Sequence, residues 1–97
     1  MSDEQSFFFA ADMGDAPELD LHGVDAINTR HLLDLFLHEQ WMRHEPVVRI
    51  LHGKGTGEVR RVVWETLRGH ELVRDIQASS QFGQEEAVTL VLLKPRQ

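Results

Sequence analysis

A strand, a glycine-rich loop and a helix follow one another in residues 47–68, which read Val47-Val48-Arg49-Ile50-Leu51-His52-Gly53-Lys54-Gly55-Thr56-Gly57-Glu58-Val59-Arg60-Arg61-Val62-Val63-Trp64-Glu65-Thr66-Leu67-Arg68. The nearly continuous apolar run at 47–51, which opens after Pro46, predicts a strand covered on at least one face. Beyond the loop, apolar side chains recur at helical spacing and predict a helix over 58–68, with Gly69 as its natural end. This unit indicates a fold in which strands and helices alternate.

The flanking segments continue that alternation. A short strand around 19–21 precedes a helix that Asp25 can N-cap and that runs to about His44. Two further strands are predicted at 72–78 and 87–93, and the connection at 79–86 is too short for a crossover helix, so these strands are expected to be antiparallel. The first helix buries an apolar stripe that comprises Ala26, Leu33, Phe36, Leu37 and Trp41.

Length and composition limit the function classes. The 97 residues suffice for one domain, and the absence of cysteine excludes a disulfide framework, a thiolate zinc site and a thiol nucleophile. No apolar run approaches the roughly 20 residues of a membrane span, and the start of the chain lacks the basic region of a signal peptide. We therefore expect a cytoplasmic protein without a membrane partner.

Charge is distributed unevenly along the chain. The net charge is −6, residues 1–25 contain no Lys or Arg, and most basic residues fall between positions 43 and 74. Residues 1–17 are expected to form an acidic, partly disordered arm, followed by a domain at 18–94 and a tail at 95–97. The aromatic run Phe7-Phe8-Phe9 predicts that the arm docks on the domain or on a partner, and an arm lying over the basic region would compete with nucleic acid.

Asp20 and His22 form the first candidate site, at the end of the first strand. Side chains two residues apart point to the same side of a strand, so the carboxylate can orient the imidazole and prepare it as a general acid or base. The alternative is a purely structural role, in which Asp20 caps the turn and His22 donates a hydrogen bond to a buried carbonyl.

The loop at 52–57 forms the second candidate site. Its three glycines allow close approach of a ligand to the backbone, and it leads into a helix N-terminus that favours an anion. Lys54, Arg60 and Arg61 add positive charge, so the loop resembles a phosphate cradle, although the spacing of a P-loop is absent. A flexible turn without a ligand is the alternative. In a parallel β-α-β unit both candidate sites lie at one edge of the sheet.

Leu19-Asp20-Leu21-His22-Gly23 and His52-Gly53-Lys54-Gly55-Thr56-Gly57, at this separation, resemble the two motifs of the Smr (small MutS-related) domain family over about residues 18–94. The resemblance implies an α+β two-layer sandwich of order β-α-β-α-β-β, like the C-terminal domain of translation initiation factor 3. Its mixed four-stranded sheet has the last strand antiparallel to the others. Since 97 residues leave no room for a MutS-like ATPase, a stand-alone member is expected.

The resemblance implies a nucleic-acid endonuclease, because family members nick or cleave DNA or RNA, some at stalled ribosomes. Asp20, His22, His52 and Lys54 are the predicted catalytic residues. Chemistry favours His22 as general base and His52 as the group that protonates the leaving oxygen, although the motifs leave open which histidine takes which role. A binding module without cleavage, for nucleic acid or a ribosomal surface, is the alternative. The predicted nucleic-acid contacts are Gly53, Gly55, Thr56, Gly57, Arg60 and Arg61.

A resident metal is not predicted, although Asp20, His22 and His52 leave a divalent cation, magnesium or manganese, open as an alternative. The histidines at 31, 38, 44 and 70 are expected at the solvated surface. Trp41 is expected in the core. Trp64 lies off the core stripe beside basic residues, where stacking on a nucleotide competes with a structural role.

Overall fold

The computed structural model describes residues 3–96. Within them, none of the helices combines the length and the apolar character needed to cross a membrane. The helices and strands, in chain order, are α1 (Asp3–Asp12), β1 (Glu18–Asp20), α2 (Ala26–Met42), β2 (Val47–Leu51), α3 (Glu58–Arg68), β3 (Val73–Ala78) and β4 (Val88–Leu93).

The four strands form one mixed sheet in the order β1-β2-β4-β3. β1 is parallel to β2, whereas β4 is antiparallel to both of its neighbours, β2 and β3. The α+β fold, the mixed four-stranded sheet and the antiparallel pairing of the last two strands are therefore confirmed. Because β1 and β2 are parallel, their carboxyl ends lie at the same edge of the sheet, which we call the upper rim.

Helices α2 and α3 cover one face of the sheet. Leu33 and Leu37 of α2 and Val63 and Leu67 of α3 are fully buried against strand residues such as Ile50. This is the apolar stripe that the helical spacing predicted, and its burial is the main stabilising contribution on this face.

The ends of α2 follow local rules. Asp25 caps the helix, accepting a hydrogen bond from the Asn28 backbone N–H at 2.9 Å, as predicted. The helix ends at Met42, two residues before the predicted end, because His44 has a left-handed backbone with φ of 64°. A non-glycine residue in that region does not continue a right-handed helix.

The segment predicted as a partly disordered arm forms helix α1 in the structure, which corrects that expectation. Phe8 and Ala11 are buried on the sheet face opposite α2 and α3, against Val47, Leu90 and Leu92. The aromatic run therefore docks on the domain through Phe8, which is 2% exposed, while Phe9 is 67% exposed. The acidic composition of this segment predicted a solvated chain. Phe8 and Ala11, however, lie one helical turn apart, so both can pack on the sheet.

Asp12 shows how the acidic helix tolerates burial. Its carboxylate accepts hydrogen bonds from the Ser79 hydroxyl and from the backbone and hydroxyl of Ser80, while Arg49 donates to the Ala11 carbonyl. Burial by itself would raise the pKa of Asp12, but the hydrogen bonds from both serines outweigh it and lower that pKa. These contacts attach the end of α1 to the end of β3.

The sequence left open an acidic arm that lies over the basic region and competes there with nucleic acid. The structure shows a different contact. Glu4 pairs with Arg74 at 2.9 Å, on the α1 side of the sheet. Lys54 and Arg60 belong to the loop and to α3, on the other side. Helix α1 therefore does not lie over the glycine-rich loop and cannot act there as a competitor of nucleic acid.

Replacing Phe8 with alanine tests whether α1 is an integral part of the domain. We expect Phe8→Ala to lower the free energy of unfolding by about 3–5 kcal/mol, since it empties a buried site between helix and sheet. Phe9→Ala is the matched control, with an expected change within about 0.5 kcal/mol. Urea unfolding monitored by circular dichroism measures both, and equal losses in the two variants would contradict a docked α1.

Candidate functional site

The two candidate sites meet at the upper rim, as the parallel strands predicted. The Leu21 N–H donates to the Leu51 carbonyl at 2.7 Å, which continues the β1–β2 pairing past the end of β1. A Cβ built on Gly53 would lie 3.6 Å from the His22 Cβ. The first motif and the start of the glycine-rich loop are therefore in van der Waals range of each other.

Asp20 and His22 form a hydrogen-bonded pair at this rim. The His22 Nδ1 lies 2.7 Å from Asp20 Oδ1, and the His22 backbone N–H donates to the same oxygen at 3.1 Å. These two bonds lower the pKa of Asp20. Because the carboxylate accepts the proton on Nδ1, the neutral ring keeps its lone pair on Nε2, which is the tautomer that a general base requires. Asp20 thus caps the turn and also orients the ring.

The pair is open to large ligands. The side chains of Asp20 and His22 are 49% and 76% exposed, so neither needs a conformational change to be reached. An exposed imidazole held by a carboxylate suits a polymeric substrate that approaches from solvent.

His52 occupies a different environment. Its ring is 3% exposed, Nδ1 lies 3.0 Å from the Gly53 carbonyl, and Nε2 lies 2.8 Å from Thr89 Oγ1. Burial lowers the pKa of His52, so the neutral form is favoured, with the proton on Nδ1 donated to the carbonyl. With both ring nitrogens engaged, the geometry argues against the predicted role of His52 in protonating a leaving oxygen.

Thr89 is a site residue that the sequence reasoning missed. Its hydroxyl accepts the indole N–H of Trp64 at 2.9 Å and donates to His52 Nε2. Trp64 Nε1 can only donate, which fixes the direction of its bond. The Gly53 carbonyl can only accept, so His52 carries its proton on Nδ1 and its Nε2 accepts from the hydroxyl. The available signal was a hydroxyl within the apolar run Val88–Leu93, but its partners lie 25 and 37 residues away in sequence.

The glycine-rich loop has the backbone that its composition predicted. Gly53 and Gly57 have φ of 76° and 85°, in the left-handed region where side chains are strained. Gly57 is the N-cap of α3 and makes no side-chain capping hydrogen bond, while the Glu58 N–H donates to Thr56 Oγ1 at 3.4 Å. Lys54, Gly55 and Thr56 are exposed, and the helix dipole favours an anion there.

A cleft of about 630 Å³ runs from this loop along α3. Arg60 lies at its edge with its guanidinium carbon 5.0 Å from the Trp64 ring centroid. Arg61 pairs with both Glu58 and Glu65 instead, at 2.5 and 2.7 Å, which argues against its predicted contact with nucleic acid. The cleft is lined by Lys54, Gly55, Thr56, Gly57, Arg60, Arg61, Trp64, Glu65, Arg68 and Glu86.

A second cavity, of about 330 Å³, lies at the opposite edge of the sheet. Phe7, Trp41 and Pro46 contribute to its walls, and Trp41 is half-buried against the core as expected. None of the predicted site residues lines it, whereas several of them line the cleft beside α3.

Three side chains that could hold a metal ion meet elsewhere. Asp34, His38 and His70 bring ligand atoms within 4.8 Å of one another, between α2 and the turn after α3. The expectation that His70 is exposed is wrong, because its side chain is 8% exposed and its Nε2 lies 2.8 Å from Asp34 Oδ1. Asp20, His22 and His52, the set considered for a divalent cation, are not such a group, because the His52 ring faces Thr89.

The hydrogen bonds of this cluster indicate a structural contact between α2 and the turn after α3 rather than a metal centre. The Leu72 N–H donates to His70 Nδ1, which leaves the proton on Nε2, where it is donated to Asp34 and lowers the pKa of that carboxyl. A metal-bound histidine requires the opposite tautomer, with its second nitrogen donating. The bond from His38 Nδ1 to the Asp34 carbonyl raises the pKa of His38.

Comparison with known proteins adds a family match. The model of the Smr domain matches residues 19–94. Two similar proteins are Endonuclease MutS2 of Clostridium botulinum, 34% identical over 76 residues, and Endonuclease MutS2 of Listeria welshimeri, 36% identical over 77 residues. The matches cover 78% and 79% of this chain but 10% of each relative, so the chain spans about a tenth of their length.

A solved structure agrees with the fold. The crystal structure of the Smr domain of Thermus thermophilus MutS2 superposes with a TM-score of 0.79 at 31% identity. The superposition covers 82% of this chain and 100% of that one. Helix α1 precedes the segment that the family model matches.

Replacing Thr89 with valine tests the hydrogen-bonded connection between β4, His52 and Trp64. We expect Thr89→Val to lower the free energy of unfolding by about 1–3 kcal/mol, because a buried imidazole nitrogen and an indole N–H lose their partner. Thr66→Val is the control. Thr66 only donates to a carbonyl of its own helix, and the expected loss is at most about 0.5 kcal/mol.

The tautomer of His52 can be measured directly. Nitrogen-15 chemical shifts of the histidine side chains should show a neutral His52 ring with its proton on Nδ1. A ring that is charged at neutral pH, or that carries its proton on Nε2, would contradict this hydrogen-bonding pattern.

Proposed function

Because the chain belongs to the Smr domain family, we propose that it is a nucleic-acid endonuclease that cleaves phosphodiester bonds at the upper rim. One observation carries the proposal. The hydrogen-bonded pair of Asp20 and His22 lies against Gly53, the first glycine of a loop built to receive a phosphate. A base and an anion site are thereby adjacent, as hydrolysis of a phosphodiester requires.

His22 is the general base in this proposal. Its Nε2 takes the proton from the attacking oxygen while Asp20 stabilises the charge that forms on the ring. Asp20 itself stays ionised, consistent with its lowered pKa. The attacking oxygen is that of a water molecule, or of a ribose 2′-hydroxyl if the substrate is RNA.

Lys54 and the loop amides bind the phosphate. The ammonium group supplies a point charge, and the amides at the start of α3 stabilise the negative charge that develops on the phosphate oxygens. Lys54 is also a source of the proton that the leaving oxygen needs. His52 acts as a positioning residue, since its bond to the Gly53 carbonyl and to Thr89 fixes where the loop begins.

Binding without cleavage is the second candidate function, and two observations favour it. The buried His52 removes the predicted general acid, and the net charge of −6 opposes a protein that holds nucleic acid by charge alone. In either case the proposed partner is DNA or RNA in the cytoplasm, with a ribosomal surface as a further partner. Together with Lys54, the phosphate-contacting loop residues in the proposal are Gly53, Gly55, Thr56 and Gly57.

Cleavage assays on single-stranded and nicked DNA and RNA, with and without magnesium or manganese, test the catalytic pair. We expect His22→Gln and Asp20→Asn to slow cleavage by about 10²- to 10⁴-fold, because they remove or misorient the base. His31→Gln, an exposed histidine of α2, is the matched control and should cleave at the wild-type rate. If wild type binds but releases no product with either cation, the binding module is correct.

The phosphate contact has its own test. Lys54→Gln should weaken binding and reduce the slope of log affinity against log salt by about one, the loss of one phosphate contact. Lys94→Gln is the matched control, because Lys94 is an exposed lysine at the opposite edge of the sheet. An equal effect of both variants would mean that the loop is not the phosphate site.

A further inference from the structure

Basic residues, including those that line the cleft, differ in whether they pair with a carboxylate. Arg43, Arg49, Arg61 and Arg74 each pair with a carboxylate. Within residues 3–96, no ion pair engages Lys54, Arg60 or Arg68, although all three line the same cleft. Their positive charge is therefore available to a ligand.

Trp64 lies between two of these cations along α3. The guanidinium carbons of Arg60 and Arg68, one turn before and one turn after it, are 5.0 and 5.6 Å from its ring centroid. The indole N–H is held by Thr89, so the ring has a fixed orientation. Within the described residues, the buried Nε of Arg60 has no hydrogen-bond partner.

We propose that this cleft binds an unpaired nucleic-acid strand, with one base stacked on the surface formed by Arg60, Trp64 and Arg68. The inference rests on the proposed function, because the strand continues from the phosphate held at the glycine-rich loop. Aromatic rings and guanidinium planes both stack on bases, and a positively charged groove lined by such a surface is typical of single-strand binding.

Dimensions and charge select a single strand over a duplex. At about 1.5 Å per residue, α3 places Trp64 about 10 Å and Arg68 about 16 Å beyond Gly57, which is room for a short run of nucleotides. A base reaches a half-buried indole only when it is not stacked within a duplex. Glu65 and Glu86 also line the cleft, and their carboxylates repel the higher phosphate density of a duplex more strongly than that of one strand.

The test measures the contribution of single bases to affinity with the protein fold left intact. Fluorescently labelled single-stranded DNA and RNA oligonucleotides, slightly longer than the cleft, are titrated with the His22→Gln protein so that they are not cleaved. A series with one abasic nucleotide at each successive position follows. We expect one or two positions at which base removal weakens binding by about 5- to 150-fold, and weaker binding of a matched duplex.

Variants then locate the stacked base. In Trp64→Leu the intact strand should bind as weakly as the abasic one, and base removal should have no further effect. Trp64→Phe also loses the hydrogen bond to Thr89 but keeps a ring, so it should restore the abasic effect and separate stacking from a structural role. Arg68→Gln should weaken the binding of intact and abasic strands through the lost charge, and should reduce the abasic effect without abolishing it, because Trp64 remains.

Three results would overturn the inference. They are a duplex that binds as tightly as the single strand, abasic effects below about twofold at every position, and abasic effects that persist in Trp64→Leu. If binding still depends on Lys54 in these cases, only the stacking inference fails and the proposed function stands. If no oligonucleotide binds at all, both fail.

Discussion

The arrangement of the site depends on the two hydrogen bonds made by the hydroxyl of Thr89. This hydroxyl is buried in β4, at the centre of the sheet, and it bonds both to His52 at the start of the glycine-rich loop and to Trp64 on α3. A single polar atom therefore fixes the distance between the loop and the helix that follows it. Such a group in an apolar strand is tolerated because it both donates and accepts a hydrogen bond, and these two bonds restrict the orientation of the neighbouring side chains.

Local patterns predicted what depends on neighbours in sequence. The strands and the two main helices followed from strong periodicity, and the Asp20–His22 contact followed from a spacing of two. The contacts of His52 and Arg61 did not follow from such patterns, because burial and partner choice are tertiary properties. His52 is withdrawn by a strand 37 residues away, and Arg61 is neutralised by the two glutamates of its own helix. Helix α1 was missed because an acidic composition concealed two buried positions.

The distribution of charge reconciles a net charge of −6 with an anionic ligand. Acidic residues of α1 and β1 are used on the α1 side of the sheet, where Glu4 and Glu18 neutralise Arg74 and Arg49. Unpaired cations remain at the cleft on the other side. Attraction over a long range is weak in such a molecule, so recognition depends on a few close contacts and on shape. Such a charge distribution favours a small contact area between the protein and an anionic ligand.

The strand order also determines when the sheet can be completed during synthesis of the chain. β4 follows β1, β2 and β3 in the chain yet lies between β2 and β3, so the centre of the sheet is empty until it is made. Helix α1, which precedes every strand of the sheet, has its docking surface completed by that same late strand. Long-range pairing of this kind cannot proceed residue by residue behind the growing chain. In a nascent copy, accordingly, the hydrogen bonds that join Thr89 to His52 and Trp64 form only after translation has passed β4.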